Sequence, residues 1–430
     1  MSIKQFRTPS ARLLVYLERV PEMKALDCQL IVGVGSIDEP EEYAGASHAL
    51  EHCTFLKTPS FETKQAMQEF ANAHAFYKNA DTYYTRTRYI TRGLQPDAML
   101  KVLGEVGLHA QFGNEAVQHE MKSVRREAKT NLDEIDSLNY GFTDYVHFGA
   151  RYGKLVLGYH DRLNYDEGVL RSFYDTYYRI DNMALVVVGN ISQPELSALV
   201  DATFLPNNQE TFKEVAPHEK PLPPFPTTDS FGYVREDSSN ARVSLSVAVP
   251  EDFVKRYEDS EWAYAAASFM VSESVFYKMR YELGLSYNGY FSNWSYNHRS
   301  ARRMSVNVTV DPNDTDTSLA ALRSVLDRPV ESYKTETVEA ALARMSMRAA
   351  TSVDDMPARV DRYAEAVAHK RPVIGVEESF EHMRMTTAGD VRDALEDIKQ
   401  TWNHGHAIEL VTGPEHAVGS RFIIDQSSFA

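Results

Sequence analysis

Apolar and polar positions along the chain fall into the same order of elements twice. In the first half, "ALDCQLIVGVGS" is a β-rich apolar run, "GASHALEHCTFL" reads as a helix, "NADTYYTRTRYITRG" alternates as a strand does, and "PDAMLKVLGEVGLHAQF" is an amphipathic helix. The second half repeats the order. "ARVSLSVAVP" is the strand, "WAYAAASFMVSESVFYKMRYELG" the helix, "RRMSVNVTVD" the alternating strand and "TSLAALRSVLDRPV" the second helix. Each half closes on a late apolar strand entering glycine, "MALVVVGNIS" and "HAIELVTGPE", and an early strand is expected in "RLLVYLERV". Between the halves, residues 204–232 hold six prolines and little periodicity. Two copies of one α+β domain are expected, at 1–210 and 233–430, joined by a Pro-rich linker at 211–232.

A length of 430 residues suits two domains of this size, and no apolar run is long enough to span a bilayer. The net charge of −16, without a cluster of Lys and Arg, argues against a nucleic-acid partner. Cys28 and Cys53 are too few for a disulfide framework, and the N-terminus lacks the pattern of a secretory signal, so the cytoplasm is the expected compartment, with the mitochondrial matrix as the alternative. Gly33 and Gly35 in "IVGVGS" begin a dinucleotide fingerprint, but the third glycine and the following helix are missing, which leaves a turn after a buried strand.

The chemistry sits in "HALEH". On a helix His48, Glu51 and His52 share one face, and His-x-x-Glu-His is the inverted zincin motif: two imidazoles for zinc, and a carboxylate one turn away to act as general base on the attacking water. A catalytic zinc site needs a third protein ligand. Downstream, "NEAVQHEMKSVRREAKTNLDE" reads as a polar helix carrying Glu120 and Glu127 two turns apart on one face. Glu127 can be the third ligand, with Glu120 behind it. Cys53 lies about 100° round the helix from His52 and is read as packed.

This arrangement resembles the M16 inverzincins, the pitrilysin and mitochondrial-processing-peptidase group, in which the motif is followed after a long gap by a ligand Glu; here 74 residues separate His52 from Glu127. "GSIDEPEEYAGASHALEHCTFLKT", "KNADTYYTRTRYI" and "YYRIDNMALVVVGNIS" are similar to the family's flanking segments, whereas "NAHAFYKNA" lacks the family's paired glycines and Lys57 replaces a frequent Gly. The resemblance implies two homologous domains, each a mixed sheet with helices on one face, forming half of a clam-shell chamber. It implies one zinc per chain on His48, His52 and Glu127, an outer role for Glu120, and an edge strand at Asn79 and Ala80 that pairs with an extended peptide. In "RYELGLSYNGY" it implies that Arg280 and Tyr287 bind the peptide carbonyl and stabilise the oxyanion.

The activity so implied is zinc-dependent endopeptidase hydrolysis of unstructured peptides or flexible precursor segments. The rivals are a non-catalytic scaffold or peptide-binding subunit and a subunit that needs a different partner to complete its site. Long members of the family fuse two such pairs of domains, and the Arg and Tyr serving the zinc come from the second pair. A homodimer with composite sites is therefore expected, with a heterodimer as the alternative.

Overall fold

The computed structural model describes residues 3–132, 135–149, 152–153, 155–205, 213, 229–286, 288–298 and 301–424. Most of the linker at 211–232, and Tyr287, lie outside the described residues.

Among the described residues, twelve strands form two mixed six-stranded sheets. The first holds β1 (Lys4–Arg7), β2 (Leu14–Arg19), β3 (Leu26–Val32), β4 (Tyr77–Thr82), β5 (Thr87–Gly93) and β6 (Met183–Gly189), in the order β1-β2-β6-β3-β5-β4. The second holds β7 (Ser230–Val234), β8 (Ala241–Ala248), β9 (Gly289–His298), β10 (Ala301–Val310), β11 (Ala407–Gly413) and β12 (Phe422–Ile423), in the order β12-β7-β11-β8-β10-β9. From β2 to β4 the first order maps position by position onto β7 to β9 in the second. β2 runs parallel to β6 as β7 does to β11, and the remaining neighbours in each mapped set are antiparallel. The repeat in the sequence is thus a repeat in topology.

One expected element divides. "NADTYYTRTRYITRG" is a hairpin of β4 and β5, because the chain turns at residues 83–86 where Tyr83 N–H donates to the Arg86 carbonyl. Gly35 explains the close approach there: a Cβ on it would lie 2.2 Å from the Tyr83 carbonyl oxygen, and the neighbouring Ser36 and Ile37 N–H groups donate to Tyr83 and Tyr84. The glycine is required by backbone packing, which disposes of its nucleotide-binding reading.

The chain forms two compact units that are not continuous in sequence. The first comprises Met1–Glu134, Lys154–Glu219 and Thr351–Ser379; the second comprises Ile135–Gly153, Lys220–Ala350 and Phe380–Ala430. In the first unit Leu26, Cys28, Leu30 and Val32 of β3 alternate into the main core, which holds helices Ala46–Thr54, Pro96–Leu108 and Asn114–Leu132. The opposite face carries Ile31, Val186 and Val188 against Val360, Tyr363 and Ala364 of helix Met356–Ala368, a segment from the second half of the sequence. Arg359 Nη1 meets the fully buried Glu18 carboxylate at 2.7 Å there.

The second unit mirrors this. Its main core lies under Val243, Leu245 and Val247 of β8 and Met304, Val306 and Val308 of β10. The far face is polar and takes helix Ile135–Phe148 from the first half, through the buried Arg303–Asp144 pair at 2.7 Å and a 3.0 Å hydrogen bond between His147 Nε2 and Ser246 Oγ of β8. Each unit therefore completes its second sheet face with a helix from the other half of the sequence. No helix among the described residues is long and apolar enough to cross a membrane.

Candidate metal centre

The motif helix, Ala46–Thr54, is held at both ends. Its first turn has no side-chain N-cap; instead the buried carboxylate of Glu39 accepts from the Gly45 and Ser47 N–H groups, both at 2.7 Å. That places negative charge where the helix leaves donors unsatisfied. Gly45 has φ +91°, and a Cβ there would lie 2.8 Å from Leu163, so only glycine fits this entry. At the other end Thr54 Oγ1 donates to the Glu51 carbonyl. Every residue of the helix except His52 is buried.

Helix Asn114–Leu132 packs against it through Val117, Met121, Val124 and Ala128, a helical stripe of fully buried residues. The same helix carries Glu120 and Glu127. Glu127 Oε2 lies 3.2 Å from His52 Nε2 and its Oε1 lies 3.6 Å from His48 Nε2. One donor atom from each of the three residues falls within 4.8 Å of the others. Tetrahedral zinc with bonds near 2.0–2.1 Å separates its ligand atoms by about 3.3 Å, so the two Glu127 contacts match that spacing. The two imidazoles and one carboxylate also suit zinc better than the all-oxygen cages of Ca²⁺ or Mg²⁺.

The surrounding charges are ordered around this point. Glu120 Oε1 meets His52 Nδ1 at 2.9 Å and Lys64 Nζ at 2.8 Å, which orients the ring and leaves Nε2 facing Glu127. The bond to His52, with Lys64 adding to it, lowers the Glu120 pKa to about 2. Glu127 is held well below the usual carboxylate range by His48 and then His52. Burial opposes the charged form of His52, but Glu120 and Glu127 outweigh it and raise its pKa to about 9. Glu51 behaves oppositely: burial raises its pKa against the lowering effect of both imidazoles and of Thr82. Thr82 Oγ1 donates to Glu51 Oε2 at 2.9 Å.

His48, Glu51, His52 and Glu127 line a cleft of about 440 Å³ whose other wall includes Asn79, Ala80 and Thr82 of β4. β4 is the edge of its sheet, paired with β5 through Asn79↔Ile90 and Ala80↔Tyr89. Residues read separately from the sequence, His48, Glu51, His52, Asn79, Ala80, Glu120 and Glu127, are thus assembled at one place in the first unit. Arg280 belongs to the second unit, in a wide helical turn Tyr277–Glu282 after helix Glu261–Phe276, with its guanidinium 5.3 Å from the Phe276 ring centre and 5.5 Å from that of Tyr281. Cys53 is fully buried, its thiol pushed up to about 12 by burial, and is not among the clustered donor atoms.

Three contributors escaped sequence reasoning. Thr82 stands in the quoted "NADT" but its hydroxyl had no visible target. Lys64 and Glu39 act through partners 56 and 8 residues away, by contacts that no periodicity records.

Two matches to known families cover most of the chain: residues 14–142 match the family described as Insulinase (Peptidase family M16), and residues 164–345 the Peptidase M16 inactive domain. The chain belongs to the M16 peptidase family. An uncharacterized zinc protease of Mycobacterium leprae is 27% identical over 286 residues, a match covering 65% of this chain and 63% of that relative. The M16 chain thus spans less than two thirds of the length of this curated relative. A protease from Helicobacter pylori has the same fold, with a TM-score of 0.81 at 15% identity over 96% of this chain and 99% of that one. The periplasmic protease PqqL of Escherichia coli aligns with 100% of this chain over 49% of its own, with a TM-score of 0.77 at 15% identity.

Proposed function

We propose that this M16 chain is a zinc-dependent endopeptidase acting on extended, unstructured peptides. The observation that carries the reading is the convergence of His48 Nε2, His52 Nε2 and the Glu127 carboxylate in a cleft bordered by the β4 edge, with Glu51 beside them. Zinc held by His48, His52 and Glu127 supplies Lewis acidity to a peptide carbonyl and to the attacking water. The substrate adds as a strand alongside β4, where backbone groups of the edge can pair with it; Asn79 and Ala80 lie in that run.

Glu51 takes the proton from water and returns it to the leaving amine. Its burial raises its affinity for a proton, and the Thr82 hydroxyl fixes one oxygen so that the other is left to the chemistry. Glu120 holds the His52 ring through Nδ1. The three donors and Glu51 are all present, which supports the catalytic reading over that of a non-catalytic scaffold. Two buried, unpaired thiols suit a reducing compartment such as the cytoplasm.

Because Glu120 and Glu127 raise the His52 pKa to about 9, the His52 imidazole would give up a proton to a metal held at its Nε2, so binding would be coupled to proton release. That proton's contribution to the metal-free fold is complete below the ordinary histidine value near 6.5 and fades as pH rises through about 9. Calorimetric zinc titration at pH 7.5 in buffers of different ionisation enthalpy should show one zinc bound and about one proton released. A chelator should abolish hydrolysis of a quenched peptide, and one equivalent of zinc should restore it. Hydrolysis that survives complete metal removal would reject the reading.

Arg280 and Tyr287 complete the proposal as hydrogen-bond donors to the oxyanion formed at the site of a second copy, which makes the active form a homodimer with two shared sites; a heterodimer is the alternative. Glu51→Gln and Arg280→Ala chains, each nearly inactive alone, should regain activity when subunits exchange, because one site of the mixed dimer is intact. With exchange confirmed by mass, activity that stays at the level of the separate variants would reject sharing between identical chains.

A further inference from the structure

The carboxylates around the cleft are each engaged by a neighbour. Glu127 faces both imidazoles, Glu120 is shared between His52 and Lys64, Glu51 accepts from Thr82, and Asp81 is held by Arg88 at 2.9 Å. Lys78 differs. Its side chain is half-buried in the same cleft, its Nζ lies 4.9 Å from the centre of the Phe55 ring, and it has no carboxylate partner among the described residues. Burial, with the charge of Lys64 next, holds its pKa below the ordinary lysine value. A half-buried ammonium that shares its cleft with a second ammonium is an unfavourable arrangement unless an anion joins it.

Lys64 strengthens the point. It is the first residue of helix Lys64–Ala73, where the helix dipole disfavours a cation. Its bond to Glu120 offsets that, yet its side chain remains 48% exposed, with donor capacity to spare. The Phe55 ring beneath Lys78 contributes its negative face and an apolar floor on which the methylene groups of a ligand can rest.

From this geometry we infer that the cleft contains a carboxylate-binding subsite, formed by Lys78 on the Phe55 ring with Lys64 beside it, which takes an acidic side chain or a free C-terminal carboxylate of the peptide close to the bond to be cut. The inference rests on the peptidase reading and specifies its substrate class. Lys78, Ala80 and Thr82 lie on the same face of β4 by strand alternation. Thr82 marks the Glu51 end, and Lys78 stands four residues away, about 13 Å along the strand. A peptide added alongside β4 therefore brings a residue within about four positions of the cut bond up to Lys78.

Binding separates the subsite from the chemistry. The Glu51→Gln chain, loaded with zinc, is titrated with labelled peptides in which one Asp or Glu is moved through four positions on each side of a central bond, with the C-terminus amidated. A second set lacks acidic residues and ends in a free carboxylate at the corresponding positions. One arm should bind about tenfold more tightly than its neutral counterpart, at one position, and which arm does so identifies the source of the carboxylate. The preference should shrink as salt is raised. Lys78→Met should remove it, and Lys78→Glu should turn it toward a basic residue at that position. Lys64→Met, measured in parallel, should weaken the preference without inverting it. Equal affinities for acidic, neutral and free-carboxylate peptides, or a preference unchanged in Lys78→Glu, would overturn the subsite. Hydrolysis by the unaltered chain is read separately: absence of turnover with the binding preference intact would reject the peptidase reading and leave the subsite standing.

Discussion

Replacing Glu51 with glutamine should leave the fold and the bound zinc unchanged while lowering peptide hydrolysis by about 10²–10⁴-fold. Glu51 lies one helical turn from His48 and next to His52 but is not in the cluster of donor atoms, so on the proposed mechanism its loss touches the proton transfers and spares the metal. Gln keeps an oxygen that can accept from Thr82 Oγ1, now 2.9 Å from Glu51 Oε2, and it fills the same buried volume. What it cannot do is take and return a proton. Metal analysis, thermal unfolding and turnover of a quenched peptide measured on the same preparation test this directly. Turnover close to that of the unaltered chain would assign the base elsewhere; parallel loss of zinc would make Glu51 part of the metal set.

Glutamine at position 127 should cause the larger loss of metal. The Glu127 carboxylate brings the negative charge to a set otherwise made of two neutral imidazoles, with its two oxygens 3.2 and 3.6 Å from His52 and His48. An amide at the same place offers a weaker, uncharged oxygen. Glu120 provides the internal control, because it acts on His52 Nδ1 at 2.9 Å and contributes none of the clustered donor atoms. Outer partners of this kind typically cost about 10–100-fold in metal affinity when removed. Glu120→Gln should fall in that range and Glu127→Gln beyond it, as measured by competition with a chromophoric chelator. Zinc affinity in Glu127→Gln equal to that of the unaltered chain would remove Glu127 from the ligand set. A greater loss in Glu120→Gln would exchange the two roles.

The two halves of the chain were legible because each repeats a strand, helix, strand and helix with a period that local sequence expresses. The motif helix and its partner were legible for a related reason: spacings of three, four and seven residues place side chains on one helical face whatever the surroundings. The hairpin between β4 and β5 was less so. Its strands are polar enough to alternate through the turn, and the turn is held partly by Ser36 and Ile37, nearly fifty residues earlier.

By itself the sequence determined the α+β class, the duplication, and the two helices that bear His48, Glu51, His52, Glu120 and Glu127, since all of these follow from periodicity within a few turns of chain. Tertiary structure decided what those periodicities leave open. Glu39 caps the motif helix, Thr82 hydrogen-bonds Glu51, Lys64 shares Glu120 with His52, and Lys78 lines the same cleft with no carboxylate partner among the described residues. It also decided that helix Met356–Ala368 completes the first unit and helix Ile135–Phe148 the second. Such contacts join residues far apart in sequence whose side chains are ordinary taken singly; their role comes from the low-dielectric, closely packed setting that brings them within hydrogen-bond reach.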